Sequence, residues 1–246
     1  MLRVLVIGRE VALGFPGWRN AIIMPIMTPT THLDVLDATE HMPLGSVLVV
    51  NDFSWDEYEL LMQDLDGRRN PRLSYDCGRL EVVSTSPAHD EFAYLTELFV
   101  REFSDAQDLD LQAYGQATWK RKDVGKGAEA DCCYYIQNAR KVIGKKRIPL
   151  ESNPPPDVVV EIDLTSSSMR KLRIYAGLGV PEVWRFDGKV FHFYELLEGK
   201  YAEMVDSKCL PGFASVPVLE MFSLAETQGQ TEALKAFRRV IRKPKK

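Results

Sequence analysis

The sequence lacks most of the features that mark a zinc module, a membrane segment or a nucleotide loop. Its four cysteines are Cys77, the adjacent Cys132 and Cys133, and Cys209, and none stands in a CxxC or Cys/His spacing that would hold zinc. A reduced, cytoplasmic chain is the simple reading. No apolar run approaches the length of a membrane-spanning helix, and the opening run is broken by Arg9 and Glu10, unlike a signal peptide. GxGxxG and the Walker lysine pattern are both missing, so Gly8 and Gly14 behind Val4 to Ile7 make a poor dinucleotide loop. A net charge of -4 with 27% charged residues leaves no global positive field, so contact with a polyanion must come from local basic patches.

What is present suffices for a packed core, since 45% of the residues are hydrophobic. Residues 1–42 show neither sustained helical nor strand periodicity and read as an appendage, expected to pack poorly or to be dispensable; Met24, Met27 and Met42 offer alternative translation starts. Residues 43–217 read as one α/β domain, and 218–246 as a helical, then basic, tail. Within the domain, Val47 to Val50 reads as a strand, and Ser54 with Glu57 forms a capping box for a helix through Leu65. A hairpin follows, Leu73 to Asp76 and Leu80 to Val83 about a Cys77-Gly78 turn. Ser86-Pro87 then opens a helix carrying His89, Phe92, Leu95 and Phe99. Strands are expected around Leu111 to Tyr114, Thr118 to Lys120 and Cys132 to Ile136, with a polar, basic loop from Gln137 to Asn153. After the Pro154-Pro155-Pro156 stop come a strong strand, Asp157 to Leu164, and a helix capped among Ser166, Ser167 and Ser168 that ends near Gly177 to Gly179. Glu182 to Phe186, Val190 to Leu196 and Tyr201 to Val205 complete the strands.

The chemistry concentrates near that strong strand. A two-residue period puts Asp157, Val159, Glu161 and Asp163 on one face and Val158, Val160 and Ile162 on the other. Three consecutive valines argue for an interior strand, where the Glu161 carboxylate needs a cation or hydrogen-bond donors. Asp131 precedes the Cys132 strand; if the two strands are neighbours, Asp131 and Glu161 can chelate one hard cation. Lys171, on the following helix, can swing back over the strand's end, although surface solvation is the alternative for any helix lysine. An aspartate, a strand glutamate and a lysine at one edge are what phosphodiester hydrolysis needs, because an ion polarises the phosphate while the lysine orients the nucleophile or neutralises developing charge.

Glu129-Ala130-Asp131, the run Pro155 to Asp163 and Leu178 to Trp184 closely resemble the Uma-type (Uma-two) family of putative restriction endonucleases, over about Val47 to about Val216. The resemblance implies a branch of the PD-(D/E)XK nuclease superfamily, a restriction-endonuclease-like mixed β-sheet flanked by helices with a magnesium site. By the same resemblance Asp131 matches the metal-binding aspartate, Glu161 the strand glutamate and Lys171 a lysine displaced onto the helix; Asp163 stands at the usual ExK lysine place. His89 matches a histidine typical of the family just after its first hairpin, and is either a candidate to contact phosphate or the attacking water or a satisfied structural histidine. The chain departs from the family at Ala130, Cys132 and Ser74, the last where many members carry a glutamate; either Glu81 substitutes for it or the site is weakened.

The expectation is therefore a Mg²⁺-dependent (or Mn²⁺-dependent) DNA endonuclease in which Asp131 and Glu161 hold the metal, Lys171 acts on the water, and Asp163 and His89 support them. Lys120-Arg121-Lys122, Lys145-Lys146-Arg147 and Arg170-Lys171 with Arg173 would form a DNA-facing rim, and Trp119 is a candidate for base stacking or for the core. Cleavage of both strands by one small site would favour a homodimer. The competing expectation is a decayed nuclease fold that binds nucleic acid or serves as a regulatory or interaction module.

Overall fold

The structure is a computed structural model that describes residues 31–68, 70–164 and 167–241, with the backbone of the strands Val4–Ile7 and Ala21–Met24. Gly8, Gly14, Met27, Ser166 and the basic end from Arg242 onward lie outside the described residues. The chain forms two compact units, Met1–Pro87 with Thr118–Glu129, and Ala88–Ala117 with Ala130–Lys246. The expected 43–217 span contributes to both.

The first unit holds a seven-stranded sheet. Val4–Ile7 pairs antiparallel with both Ala21–Met24 and Val47–Val50, so the opening segment has regular structure that its missing periodicity did not reveal. Its helix His32–Glu40 buries Val35 against Leu48, Tyr58 and Leu80. The Ser54–Glu57 capping box forms as expected and starts the helix Trp55–Asp64, with Glu57 N–H on Ser54 Oγ at 3.2 Å. In the hairpin Arg72–Asp76 and Arg79–Val83, Cys77 and Gly78 both take positive φ (48° and 94°), matching the strand twist in a two-residue turn. Lys126–Glu129 is a strand that sequence reading left unassigned; it pairs with Arg72–Asp76 on one side and Thr118–Arg121 on the other.

The second unit holds a six-stranded mixed sheet and carries Asp131, Glu161, Asp163, Lys171 and His89. Val158–Ile162 is interior, antiparallel to Cys132–Tyr135 and parallel to Glu182–Phe186, and all five of its residues are buried. Phe191–Leu197 and Lys200–Met204 extend the sheet on one side and Gln112–Ala113 on the other. Val158, Val160, Ile162, Trp184 and Phe186 point into an apolar core with Phe99 of the helix Pro87–Ala106. The expected tail forms two helices, Ser215–Gln228 and Gln230–Ile241, which place Phe222, Ala225, Ala233 and Phe237 in that core. Loss of one such phenylalanine to alanine would cost about 3–5 kcal/mol.

The helix Lys171–Leu178 covers the other face, and Gly179, left-handed at φ 78°, ends it close to its expected stop. The loop read from Gln137 to Asn153 contains a short helix, Ala139–Val142, started by backbone ties to Asp157. The chain is thus α/β, with a mixed sheet flanked by helices. No helix among the described residues is long and apolar enough to cross a membrane.

Candidate functional site

Asp131 and Glu161 come together because their strands pair. Val160 stands opposite Cys132 in the antiparallel register, so Asp131 falls just before that strand, beside Glu161. The Asp131 N–H donates to the Val160 carbonyl (3.2 Å) and its Oδ2 accepts the Ile162 N–H (2.8 Å), so Asp131 grips the strand on both sides of Glu161. Both carboxylates are buried.

Each is satisfied by side chains brought in from helices. Lys171 Nζ donates to Glu161 Oε2 at 2.8 Å, and the Tyr175 hydroxyl donates to Glu161 Oε1. Lys171 and Tyr175 are one helical turn apart, so a single helix face holds both oxygens of Glu161. His89, in the first turn of Pro87–Ala106, sets Nε2 3.0 Å from Asp131 Oδ2 and Nδ1 3.2 Å from Asp90 Oδ1.

Burial sets the electrostatics. It pushes the Glu161 carboxyl up to about 7, with the Asp131 charge adding to the rise and Lys171 opposing it. Burial also works to raise Asp131, but His89, Lys171 and the Ile162 N–H outweigh it and hold this carboxyl below its ordinary value. The same burial disfavours charge on Lys171 and His89, yet Glu161 and Asp131 raise the lysine and Asp131 with Asp90 raise the histidine. The Tyr175 phenol is driven far up by burial and by Glu161, which keeps it a donor.

Asp163 is not gathered onto these groups. It lies just past the strand's end, where its Oδ2 accepts the Ser168 N–H (2.8 Å), the Ser168 hydroxyl (3.1 Å) and Arg185 Nε. Ser74 and Glu81 belong to the first unit and stand opposite each other in the hairpin register; Glu81 is ion-paired with Arg79 at 3.2 Å. The basic stretch Lys120-Arg121-Lys122 is spent on acids of its own unit, Lys120 on Glu59 (2.5 Å), Lys122 on Asp56 (2.9 Å) and Arg121 on Asp123. Trp119 is a core residue, 4% exposed, which removes it as a stacking platform. Arg170, Arg173, Lys146 and Arg147 are exposed in the second unit.

Three participants escaped sequence reading. Tyr175 carried a signal, its position four residues after Lys171; Asp90 adjoins His89; Arg185 is found only once the parallel register sets it beside Glu161. Among the described residues no group of three or more His, Cys, Asp and Glu side chains is gathered for a metal, and Asp131 with Glu161 is the pair of hard oxygen donors this site offers.

No curated protein matches the chain. A crystal structure of a putative nuclease belonging to DUF820 from Anabaena variabilis is similar over 67% of this chain and 95% of that one, at 14% identity and a TM-score of 0.48. Residues 55–226 match the model of the Uma2 family, described as "Putative restriction endonuclease", and the chain belongs to that family.

Proposed function

We propose that the chain is a Mg²⁺-dependent endonuclease that hydrolyses phosphodiester bonds in DNA. The observation that carries this reading is the buried convergence of Asp131, Glu161 and Lys171, with Lys171 Nζ 2.8 Å from Glu161 Oε2. A cation and two carboxylates held away from water cost a fold stability even when paired, and such clusters concentrate at functional sites. The donor set fits the ion. Mg²⁺ keeps several waters and takes only one or two carboxylates plus substrate phosphate, so a pair of acids suffices where zinc would want a closed cage.

When bound, Mg²⁺ would polarise the phosphate and lower the pKa of a water. Asp131 and Glu161 would hold it; both are hard oxygen donors on adjacent strands. Lys171 would orient the attacking water or neutralise charge developing on the phosphorane, since its raised pKa keeps it cationic at neutral pH. His89 would act through Asp131, to which it is bonded, and not on phosphate directly. Asp163 would support the Lys171 helix instead of joining the reacting groups. Exposed Arg170 and Arg173 beside Lys171 in sequence offer contacts to the DNA backbone.

The competing reading, a decayed nuclease fold retained for nucleic-acid binding or regulation, draws on Ser74, which offers no carboxylate where relatives of the resembled type often carry one. Supercoiled plasmid separates the two: nicking or linearisation that needs Mg²⁺, stops with EDTA and is lost in Glu161→Ala supports the nuclease. Metal binding by calorimetry without cleavage of any DNA offered would establish the decayed form.

A further inference from the structure

Asp163 and Arg185 are the charged pair next to the site that the reaction above does not use. Glu161 and Arg185 are register partners in the parallel pair of strands, and Arg185 reaches diagonally past Glu161 to place Nε on Asp163 Oδ2. That oxygen also accepts both the backbone N–H and the hydroxyl of Ser168. Ser168 begins the 3₁₀ turn Ser168–Arg170, and the residue after that turn is Lys171. A continuous line of contacts therefore runs from Arg185 through Asp163 and Ser168 to the backbone that carries Lys171, and closes on Glu161, the neighbour of Arg185.

The tie has a mechanical consequence. The side chain of Lys171 is 8% exposed, and its ammonium meets Glu161 only while the first turn of its helix stays where it is. That start has no side-chain cap of its own, since Arg170 at the N-cap position makes no capping hydrogen bond. Ser167 caps the preceding 3₁₀ turn by accepting the Met169 N–H (3.4 Å), Asp163 adds a second hold on that turn through Ser168, and its negative charge, balanced by Arg185, lets one oxygen accept three donors. Arg185 is 13% exposed at its side chain and keeps its charge at any ordinary pH.

We propose that Arg185 is a positioning residue: through Asp163 and Ser168 it fixes the turn from which Lys171 reaches Glu161. Its effect on cleavage rests on the nuclease reading, but its effect on Lys171 does not. The full-length protein is therefore labelled with an amine-reactive acylating reagent, and modification of each lysine is followed by peptide mass spectrometry. Cys132 and Cys133, buried free thiols in the same unit as Lys171, report opening of that unit by their reaction with a thiol reagent in parallel. In Arg185→Met, Lys171 should be modified about tenfold faster, the scale of losing a charged hydrogen bond, while Cys132 and Cys133 keep their wild-type rate. Arg185→Lys, which retains the cation, should recover much of the protection.

Lys171 modified at the wild-type rate in Arg185→Met would overturn the proposal. If Lys171 and the two cysteines accelerate together, Arg185→Met has opened their unit, and Asp163→Asn decides by the same criterion because it keeps an acceptor oxygen for Ser168 and loses only the charge. Should the wild type cut DNA, the single-turnover rate at saturating protein should fall in Arg185→Met with DNA affinity unchanged, a split that a general loss of stability would not give. A wild type that never cuts DNA would sink the nuclease reading and leave the labelling result intact.

Discussion

The two ends of the parallel pair Val158–Ile162 and Glu182–Phe186 both bury carboxylates, and they satisfy them in opposite ways. At the N-terminal end, Asp157 accepts the N–H groups of Ile136 (2.7 Å) and Asn138 (3.0 Å) and, on its other oxygen, the Asn138 side-chain amide (2.5 Å). Glu182 there accepts those of Lys208 and Cys209 (2.7 Å each), the Ser207 hydroxyl (2.8 Å) and the Trp184 indole (3.0 Å). At the C-terminal end, Glu161 is held by Lys171 and Tyr175, and Asp131 by His89 as well as one backbone N–H. All four carboxylates are between 1% and 3% exposed, so burial does not tell the ends apart. The donors do. Backbone N–H groups cannot leave without moving the chain, so Asp157 and Glu182 pin loops; lysine, tyrosine and histidine can rotate aside for an ion or a phosphate.

The strongest attempt to break this contrast is one truncation at each end. Glu161→Ala should abolish Mg²⁺ binding and lower plasmid cleavage by roughly 10³-fold or more while the protein stays folded, since an ion ligand is lost. Glu182→Ala strands several buried donors and should cost about 3–5 kcal/mol in urea unfolding, yet the folded fraction should cut DNA at the wild-type rate. Loss of metal binding in a folded Glu182→Ala protein would erase the distinction. Next in size, Lys171→Ala should slow single-turnover cleavage by about 10²-fold, as for other groups that stabilise transition-state charge. Its metal affinity should stay nearly intact because two changes oppose: Glu161 Oε2 is vacated for the ion, and its carboxyl holds a proton more tightly without the ammonium. A Lys171→Ala protein that cuts as fast as wild type would remove the lysine from the reaction.

The end with Asp131 and Glu161 was the more legible one in the sequence. Three valines before Glu161 announced an interior strand, an acid just ahead of the Cys132 strand announced its partner, and both sit as the period-two pattern requires. His89, Lys171 and their acids meet because the helices begin where Pro87 and the serines place them. What escaped depends on pairing across the chain. Asp163 alternates with Glu161 and stands at the ExK lysine place of the resemblance, which marks it as a site residue, but the strand ends at Ile162 and the period no longer governs it. Lys126–Glu129 escaped because Gly127 and flanking charges give it no strand-like composition, while Val4–Ile7 was too short to show a period before its partner was known. The loop pins Asp157 and Glu182 were invisible for the same reason: their donors come from segments distant in sequence.

A pH series sharpens the contrast by about an order of magnitude per unit. Glu161 has its carboxyl raised to about 7, so protons compete with Mg²⁺ below that value, and affinity should climb roughly tenfold per pH unit before levelling off above it. The sign for stability is the reverse. A raised carboxyl adds stability that is complete below its ordinary value of 4.5 and is lost as pH rises through about 7, so the metal-free protein should weaken across that window. His89, raised above 6.5, acts in the same direction, whereas Asp131, lowered from 3.8, adds stability that is lost only as pH falls below that range. Thermal melts in EDTA should therefore drop from pH 5 to pH 8, with Mg²⁺ restoring the loss at pH 8. Glu161→Gln should flatten both curves; an unchanged slope in that variant would place the titration elsewhere.

The smallest expected effect is also the most specific. Tyr175→Phe removes one hydroxyl and nothing else from the grip on Glu161, and the ring keeps its buried place beside the sheet. The hydroxyl matters to the ionised carboxylate far more than to the neutral acid, which carries its own proton and needs fewer donors. Its loss should cost about 1–2 kcal/mol at pH 8, where Glu161 is mostly ionised, and clearly less at pH 6, where it is mostly protonated. Cleavage should fall only a few-fold, because Lys171 still reaches the other oxygen. Ser207→Ala, which removes a hydroxyl from Glu182, is the matching change at the opposite end. The donors there are backbone N–H groups, a hydroxyl and an indole, none of which titrates in this range, so its cost in urea unfolding should be the same at both pH values. A pH-independent cost for Tyr175→Phe would mean that its hydroxyl supports the helix and not the charge on Glu161, and the two ends of the strand pair would then differ in Lys171 and His89 alone.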